Sequence, residues 1–268
     1  AVSAGSYTKP YLIHLIYKPN KNKAKKKIAL LGKGITFDSG GISLKPADKM
    51  ADMKADMAGA ATLLGLFRVL PILDLPIEIH AVLPVCENLP SNRAIKPGDV
   101  IRAYNGKTIE ILNTDAEGRL ILADGLSYIS KQIMPQAIIE LSTLTGACLV
   151  ALGENIAAIM SNSVRLKRDL MRASRNCGEK LWPLPLEADY KKKMESNIAD
   201  IKNITADRWG GAIMGGLFLA EFVPHEIEFA HIDIAGPSFF EKSNISYIPS
   251  GGSGYGVRLL LEYLKIIS

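Results

Sequence analysis

Apolar runs of strand length alternate with helix-forming segments along the 268 residues of this chain. The strand-like runs are Tyr11–Tyr17, Ile28–Leu31, Ile77–Leu83, Ala137–Leu141 and Phe229–Ile234. The helix-like segments are Met57–Leu70, Glu117–Ser130, Val164–Asn176, Met214–Phe222 and Gly256–Ile266. Neither a repeat nor a long Gly/Ser- or Pro-rich linker interrupts this order. The alternation favours an α/β sandwich, and we interpret residues 1–268 as one domain.

Turn-forming residues predict two further features. Val100–Leu112 has apolar residues that alternate around Asn105 and Gly106, which predicts a β-hairpin. The stretch from Gly32 to about Ala51 is rich in Gly, Ser, Asp and Lys, and we expect it to form a loop.

A basic run, Lys18–Lys27, supplies much of the net charge of +5. One interpretation of this run is a surface for nucleic acid or membrane. The other is a solvated loop between two strands. No aromatic residue interleaves with these lysines, as the stacking of bases would require, so we favour the loop.

Several features predict a cytoplasmic location. No apolar run approaches the roughly 20 residues that a membrane helix requires. The N-terminus lacks the charged start, apolar stretch and cleavage site of a secretory signal. The cysteines Cys86, Cys148 and Cys177 are odd in number and form no CxxC pair, which predicts buried thiols in a reducing compartment.

Two polar segments interrupt the apolar pattern with charges that have no obvious surface role. The first, Lys33–Asp56, is glycine-rich and contains Asp38, Asp48, Asp52, Asp56, Lys33 and Lys45.

The second segment is Asn113–Leu120, with the sequence NTDAEGRL. Its Asp115, Glu117 and Arg119 are spaced two apart, so an extended backbone would direct all three side chains to the same side. This arrangement suits a metal ion with an anion nearby. The alternative is a set of surface ion pairs at the start of a helix.

Together the two segments indicate an oxygen-rich site that could hold two divalent ions. The GKG sequence lacks the rest of the Walker pattern, and no G-x-S-x-G elbow occurs here. His14, His80 and His231 fall in apolar strands, where we expect hydrogen-bonded core histidines.

At these residues the chain resembles a known family. LLGKGITFDSGGISLKP and NTDAEGRL are similar to the two signature segments of the leucine aminopeptidase (cytosol aminopeptidase) family, in the right order and at the right spacing. Further matches are STLTGA (142–147), NIADIKN (197–203), GGAIMGGLFL (210–219) and HIDIAGP (231–237). The resemblance covers nearly the whole chain. It implies the catalytic, C-terminal domain of that family, a mixed central sheet between helices in a three-layer α/β/α, zinc-peptidase-like fold.

The resemblance also implies a metal-dependent aminopeptidase that removes leucine or another apolar N-terminal residue. Two divalent ions (zinc or manganese, with magnesium or cobalt as alternatives) would activate a water molecule. Their ligands would be Lys33, Asp38, Asp56, Asp115 and Glu117, with Asp38 and Glu117 bridging. Lys33 would have to be neutral, since only the free amine has a lone pair, and two dications would lower its pKa.

Two further residues receive catalytic roles from the resemblance. Lys45 would stay charged, polarise the scissile carbonyl and stabilise the oxyanion. Arg119 would hold a bicarbonate ion that acts as general base; the alternative is a simple ion pair with Glu117.

The family pattern implies a pocket for the N-terminal side chain of the substrate. Its residues would be Met53, Thr143, Leu144, Gly146 and Ala235. Ser238 stands where family members can have a larger apolar residue, which bears on the width of the pocket.

Partners and alternatives complete these expectations. Peptides with a free N-terminus would be the substrates, and no membrane partner is expected. Family members usually carry a further N-terminal domain that this chain lacks, and they commonly form hexamers, so we expect a homo-oligomer. An additional DNA-binding accessory role is one alternative, and a different two-metal hydrolase, such as a phosphatase, is another.

Overall fold

The structure is a computed structural model that describes residues 1–19, 26–243 and 245–268. The strands are β1 (Tyr11–Tyr17), β2 (Lys27–Gly32), β3 (Gly34–Asp38), β4 (Glu78–Asn88), β5 (Val100–Arg102), β6 (Thr108–Glu110), β7 (Ala137–Ser142), β8 (Ala157–Ser161), β9 (Leu181–Pro183), β10 (Ile201–Lys202), β11 (Glu228–Asp233), β12 (Phe239–Phe240) and β13 (Gly251–Gly252). The α-helices are α1 (Ala58–Leu73), α2 (Gly118–Tyr128), α3 (Gly146–Leu152), α4 (Val164–Cys177), α5 (Gly211–Ala220) and α6 (Val257–Ile267).

A mixed sheet forms the centre of the molecule. Its strand order is β1-β4-β2-β7-β11-β8-β9, and β3 pairs with the C-terminal part of β4. The neighbours β4, β2, β7 and β11 run parallel, whereas β1 and β8 are antiparallel to their partners β4 and β11. The carboxyl ends of β2, β7 and β11 therefore meet at one edge of the sheet.

Helices cover both faces of the central strands. Leu30, Ile139 and Ile232 point to the face that packs against α1, α4 and α6. The alternate residues, such as Ile138 and Phe229, point to the face covered by α2 and α5. Strands buried on both faces have continuous apolar runs in their sequence, which is why the sequence pattern was informative. The α/β class and the mixed sheet between helices are confirmed.

The predicted helices and strands are present, with ends that differ by a few residues. Helix α1 continues beyond Leu70 through Pro71 to Leu73. Proline is tolerated there because only the last turn loses a hydrogen bond. Helix α4 begins at the cap Ser163, whose hydroxyl accepts a hydrogen bond from the Leu166 amide, and it ends at Gly178 in the left-handed conformation.

Two expectations about local structure were wrong. The stretch from Gly32 to Ala51 is not simply a loop, because Gly34–Asp38 forms β3 against β4. Glycine and aspartate are uncommon in strands, so the local sequence did not predict this strand, which depends on a long-range pairing. Arg119 does not lie in an extended segment with Asp115 and Glu117, since α2 begins at Gly118.

The predicted hairpin is present as β5 and β6, which pair antiparallel. The Ala103 amide donates to the Lys107 carbonyl at 2.9 Å, and Gly106 adopts a φ of 98°. A glycine in this left-handed region is what a tight hairpin connection requires. Strand β10 extends this small sheet by pairing parallel to β6.

The remaining sequence predictions concern the surface and the core. The centre of the basic run, residues 20–25, lies outside the described residues. Cys86 and Cys148 are buried and Cys177 is half-buried, so the prediction of buried thiols is correct for two of the three. His231 is buried with its Nδ1 on a Glu140 oxygen, as expected for a core histidine.

One helical stretch, Met50–Leu73, is long and apolar enough to cross a membrane by length and composition alone. It combines a 3-10 turn with α1. Leu63, Leu66 and Leu70 of this stretch are fully buried in the core beside the central sheet. Core helices of folded domains have this same composition and burial.

Candidate metal centre and substrate pocket

A cavity of about 510 Å³ opens at the carboxyl ends of the central strands. Lys33 follows β2, Asp38 ends β3, Thr143 follows β7 and Ala235 lies just after β11. Of the predicted site residues, those that line the cavity are Lys33, Asp38, Lys45, Met53, Asp56, Asp115, Glu117, Thr143, Leu144, Gly146 and Ala235. Only Arg119 among the predicted residues lies outside this lining, and all of them belong to the described part of the chain.

Tight backbone packing fixes the position of Lys33. Its amide donates to the Leu141 carbonyl at 3.1 Å, and its carbonyl accepts from the Ala60 amide at 2.9 Å. A Cβ atom at Gly59 would lie 2.1 Å from the Leu141 carbonyl oxygen, so only glycine allows α1 to approach β7 this closely. The lysine is thereby held between a strand and a helix.

The Lys33 side chain reaches into a cluster of carboxylates. Its Nζ lies 2.7 Å from Asp56 Oδ2 and 2.9 Å from Glu117 Oε1, and it donates to the Thr143 carbonyl at 3.1 Å. Burial alone would lower the pKa of Lys33, but the carboxylates of Asp56 and Glu117 outweigh burial and raise it. The protein groups thus favour the ammonium form, and nearby dications would oppose it.

Lys45 occupies the second half of the cluster. Its Nζ lies 2.9 Å from Asp38 Oδ2 and 2.5 Å from Asp115 Oδ1. The other Asp38 oxygen accepts hydrogen bonds from the Gly40 amide at 3.0 Å and from Asn88 Nδ2 at 2.8 Å. Burial would lower the pKa of Lys45, but Asp38 and Asp115 raise it above its ordinary value.

The carboxylates of this cluster are under-compensated, which means that they outnumber the positive charges beside them. Asp38, Asp56, Asp115 and Glu117 share the two ammonium groups of Lys33 and Lys45. Burial raises the pKa of Glu117 to about 7 and that of Asp56 to about 6, although Lys33 opposes both shifts.

Glu117 Oε2 is buried, and no described residue gives it a hydrogen bond. Oxygens of Asp38, Asp115 and Glu117 can be chosen that all lie within 4.8 Å of one another. An oxygen-rich set whose carboxylates outnumber its ammonium groups fits divalent cations.

Arg119 lies behind the cavity, on the first turn of α2. One of its terminal nitrogens donates to the Asn203 carbonyl at 2.8 Å, and its guanidinium carbon lies 5.7 Å from the centre of the Phe218 ring. Burial lowers the pKa of Arg119 to about 10, with Glu117 and Asp233 opposing the shift. Its Nε is buried, with no hydrogen-bond partner in the described ranges, so a donor is left for another group.

Apolar residues form the other side of the cavity. Met53, Leu144 and Ala235 of the predicted pocket are joined there by residues that the sequence did not single out, Leu149, Phe239 and Phe240. A side chain at Gly146 would meet open space, since no atom lies within 4 Å of the position that its Cβ would take. Ser238 also lines the cavity, and its small side chain leaves this side wide.

Several supporting residues were not identified from the sequence. Asn88 bridges Asp38 and the Thr114 carbonyl, to which its Nδ2 donates at 3.0 Å. Asn203 holds the turn before Asp115, because its Oδ1 accepts from the Leu112 amide at 2.9 Å. Both residues directly adjoin or end a strand at the sheet edges, and this position was the only signal available.

The model of the cytosol aminopeptidase family, catalytic domain, matches residues 1–261. The chain belongs to this family. The resemblance inferred from the two signature segments is therefore confirmed.

Individual relatives agree with the family match. A probable cytosol aminopeptidase of Chlorobium limicola is 49% identical over 265 residues, which cover 99% of this chain and 52% of that protein. One from Aquifex aeolicus is 47% identical over 269 residues, which cover 100% of this chain and 54% of that protein. The chain thus spans about half the length of these curated relatives.

A solved structure also matches the whole chain. The bottromycin maturation enzyme BotP in complex with Mn superposes with a TM-score of 0.95 at 39% identity, covering 100% of this chain and 58% of the BotP chain. This likeness supports the same mixed α/β fold for both proteins.

Proposed function

We propose that this protein is a metal-dependent aminopeptidase that hydrolyses the first peptide bond of substrates with a free N-terminus. Membership of the cytosol aminopeptidase family supports this reaction class. The observation that carries the proposal is the position of a buried, under-compensated carboxylate cluster beside an apolar pocket in one cavity.

Lys33, Asp38, Asp56, Asp115 and Glu117 would hold two divalent ions. The unpartnered, buried Glu117 oxygen and the excess of carboxylates over ammonium groups support this ligand set. The manganese in the matched BotP structure makes manganese one candidate, with zinc as another. When bound, such ions lower the pKa of water and polarise a carbonyl oxygen.

Side chains of the site would bind and polarise the substrate. Lys45 is partly exposed to the cavity and carries a firmly protonated ammonium group. It would donate hydrogen bonds to the carbonyl oxygen of the scissile bond as negative charge develops there. The substrate's free α-amine would bind one of the metal ions held by these carboxylates, which would restrict cleavage to the first residue.

The pocket supports a preference for an apolar N-terminal residue such as leucine. Met53, Leu144, Leu149 and Phe240 offer apolar surface, and Gly146 leaves room beside them. Transfer of apolar side-chain surface from water into such a pocket contributes about 25 cal/mol per Å².

Arg119 supports the proposal of a bicarbonate ion as general base. Its unpartnered Nε is a buried donor next to Glu117, and a guanidinium group binds planar anions of this kind well. A homo-oligomer and a cytoplasmic location are proposed from the family alone. The additional DNA-binding role stays a prediction, because the centre of the basic run lies outside the described residues.

The experiment is hydrolysis of leucine p-nitroanilide with manganese or zinc, with and without a chelator. Hydrolysis that the chelator abolishes and metal restores is the expected result. N-acetyl-leucine p-nitroanilide is the matched control, since it differs only in its blocked amine and should not be cleaved.

Release of phosphate from p-nitrophenyl phosphate, without cleavage of the leucine substrate, would instead favour a different two-metal hydrolase. A metal-loaded chain that does not cleave leucine p-nitroanilide, or that cleaves the N-acetylated control equally well, would contradict the proposed reaction. Metal content is therefore measured on the same samples.

A further inference from the structure

The carboxylate of Asp233 joins two loops at the carboxyl edge of the sheet. Asp233 is fully buried at the end of β11. Its Oδ1 accepts from the Leu144 amide at 3.2 Å and the Ala235 amide at 3.1 Å, and its Oδ2 accepts from the Thr145 hydroxyl at 2.7 Å. One side chain thus receives three hydrogen bonds from two separate segments.

Both segments belong to the wall of the cavity. The first follows β7 and contributes Leu144 and Thr145, and the second follows β11 and contributes Ala235. Asp233 and Ser142 are register partners in the two parallel strands. Asp233 therefore sits where the strands diverge into loops, and it fixes the distance between the two loops.

The first of these segments is also bonded to the metal centre. The Thr143 hydroxyl donates to Asp56 Oδ1 at 2.7 Å, and the Thr143 carbonyl accepts from Lys33. Residues 143–145 consequently connect two predicted metal ligands at one end to Asp233 at the other. Movement of this segment would change the pocket wall relative to the ligands.

A buried ion pair lies beneath Asp233 on the same face of the sheet. His231 and Glu140 are register partners on β11 and β7, and both are fully buried. Burial opposes the charged form of His231, but Glu140 raises its pKa. Burial likewise raises the pKa of Asp233, and the charge of His231 opposes this effect. The charged form of His231 therefore favours the carboxylate form of Asp233.

We propose that Asp233 is a positioning residue that fixes the pocket wall against the metal centre and thereby sets the preference for large over small N-terminal residues. This inference rests on the proposed aminopeptidase function. It assigns Asp233 an effect on selectivity, whereas a carboxylate with only a structural role would change stability alone.

Glu179 provides a matched control for a purely structural carboxylate. It is also buried and also accepts two backbone amides, from Gly256 at 3.0 Å and Leu259 at 2.8 Å. These amides lie at the start of α6 rather than in the cavity wall. Glu179→Gln therefore removes a buried charge, here one paired with Arg258, without touching the pocket.

The experiment compares kcat/KM for leucine and alanine p-nitroanilide in the metal-loaded wild type, Asp233→Asn and Glu179→Gln. We expect the leucine-to-alanine ratio to fall at least about fivefold in Asp233→Asn, because a well-fitted pocket discriminates even one missing methylene by roughly 10–200-fold. The ratio should stay at its wild-type value in Glu179→Gln. Hydrogen exchange should accelerate in the segment 143–149 of Asp233→Asn.

A second pair of variants keeps the test valid if Asp233→Asn does not fold. Thr145→Val removes one hydroxyl donor to Asp233 together with the cap that the same hydroxyl gives to the Cys148 amide, and Thr145→Ser retains both. The ratio should fall in the valine variant and return toward the wild-type value in the serine variant.

An active wild type whose ratio is unchanged in Asp233→Asn and Thr145→Val would overturn the inference and leave the proposed function standing. An equal fall of the ratio in Glu179→Gln would overturn it too. A metal-loaded wild type that cleaves neither substrate would overturn the proposed function, and the inference with it.

Discussion

The ammonium end of Lys33 passes directly over the backbone of Gly118, so that a Cβ atom at Gly118 would lie 2.6 Å from Lys33 Nζ. Gly118 is the first residue of α2, directly after Glu117. The absence of a side chain at this one position lets the lysine reach both Glu117 and Asp56. The glycine in NTDAEGRL is therefore a requirement of the site and not only of the helix start.

Gly118→Ala should displace the Lys33 side chain and lower activity. Lys33 is buried and holds three contacts, so it has little freedom to move away from a new methyl group. Steric overpacking of this kind costs about 1–3 kcal/mol. We expect loss of turnover together with weaker metal binding, measured by kcat and by metal analysis. Gly65→Ala on α1, where the nearest atom lies 3.3 Å from the Cβ, is the control and should remain active.

Lys45→Ala should keep the metal content while lowering kcat about 100–1000-fold, the usual effect of removing one oxyanion donor. The Asp38 and Asp115 carboxylates lose their ammonium partner in this variant, which favours cations in its place. Metal analysis and leucine p-nitroanilide kinetics on the same sample provide the measurement. Loss of metal along with activity would show that Lys45 serves the ligand set instead.

Glu117→Gln should lower the metal occupancy. The amide has nearly the shape of the carboxylate but lacks its charge, and the Glu117 oxygen that is now unpartnered would no longer be anionic. The affinity is measured by titration with manganese, with the amount of bound ion determined at each step. Full occupancy at wild-type affinity would exclude Glu117 as a ligand.

Metal affinity should fall as the pH drops from about 7 to 5. Burial raises the pKa of Glu117 to about 7 and that of Asp56 to about 6. A proton on either group must leave before a metal ion binds, so binding weakens below these values and releases protons. Calorimetry in two buffers of different ionisation enthalpy measures both effects.

The same shifts predict the stability of the metal-free chain. A carboxyl whose folded pKa is raised binds more protons in the folded state than in the unfolded state between about pH 4 and 7. The free energy of unfolding should therefore decrease as the pH rises through this window. A flat profile in both the binding and the unfolding measurements would contradict the assignment.

Arg119→Ala should remove any dependence of the rate on bicarbonate while leaving the metal content unchanged. Arg119 lies outside the cavity lining and contacts Asn203 and Phe218. Rates of the wild type in bicarbonate-free buffer and in added bicarbonate provide the comparison. A wild-type rate that does not respond to bicarbonate would contradict the proposed general base.

The sequence predicted the central strands and the long helices because burial on both faces leaves continuous apolar runs. It did not predict β3, whose GITFD sequence gains its strand structure from pairing with β4. It also missed β8, a five-residue strand that pairs with β11. Both strands depend on partners that are distant in sequence, and local pattern carries no information about such partners.

For the site, unusual runs of charged residues indicated the two segments, and the family resemblance selected Lys33, Asp38 and Glu117 within them. The residues that hold them were harder to find. Asn88 and Asp233 are the last residues of β4 and β11, and their roles come from hydrogen bonds formed only in the folded chain. Gly118 was visible in the sequence, but the need for a glycine there comes from its contact with Lys33, which lies 85 positions earlier.

The segment 143–145, bonded to Asp56 through Thr143 and to Asp233 through Thr145, also bears on how this protein can diversify. A substitution there that admits a new substrate would at the same time disturb the ligands, so selection for a new preference and selection for speed would conflict. Gly146 escapes this conflict, since a side chain there would enter open space. Directed evolution toward new substrates should therefore accept changes at Gly146 earlier than changes in the preceding three residues.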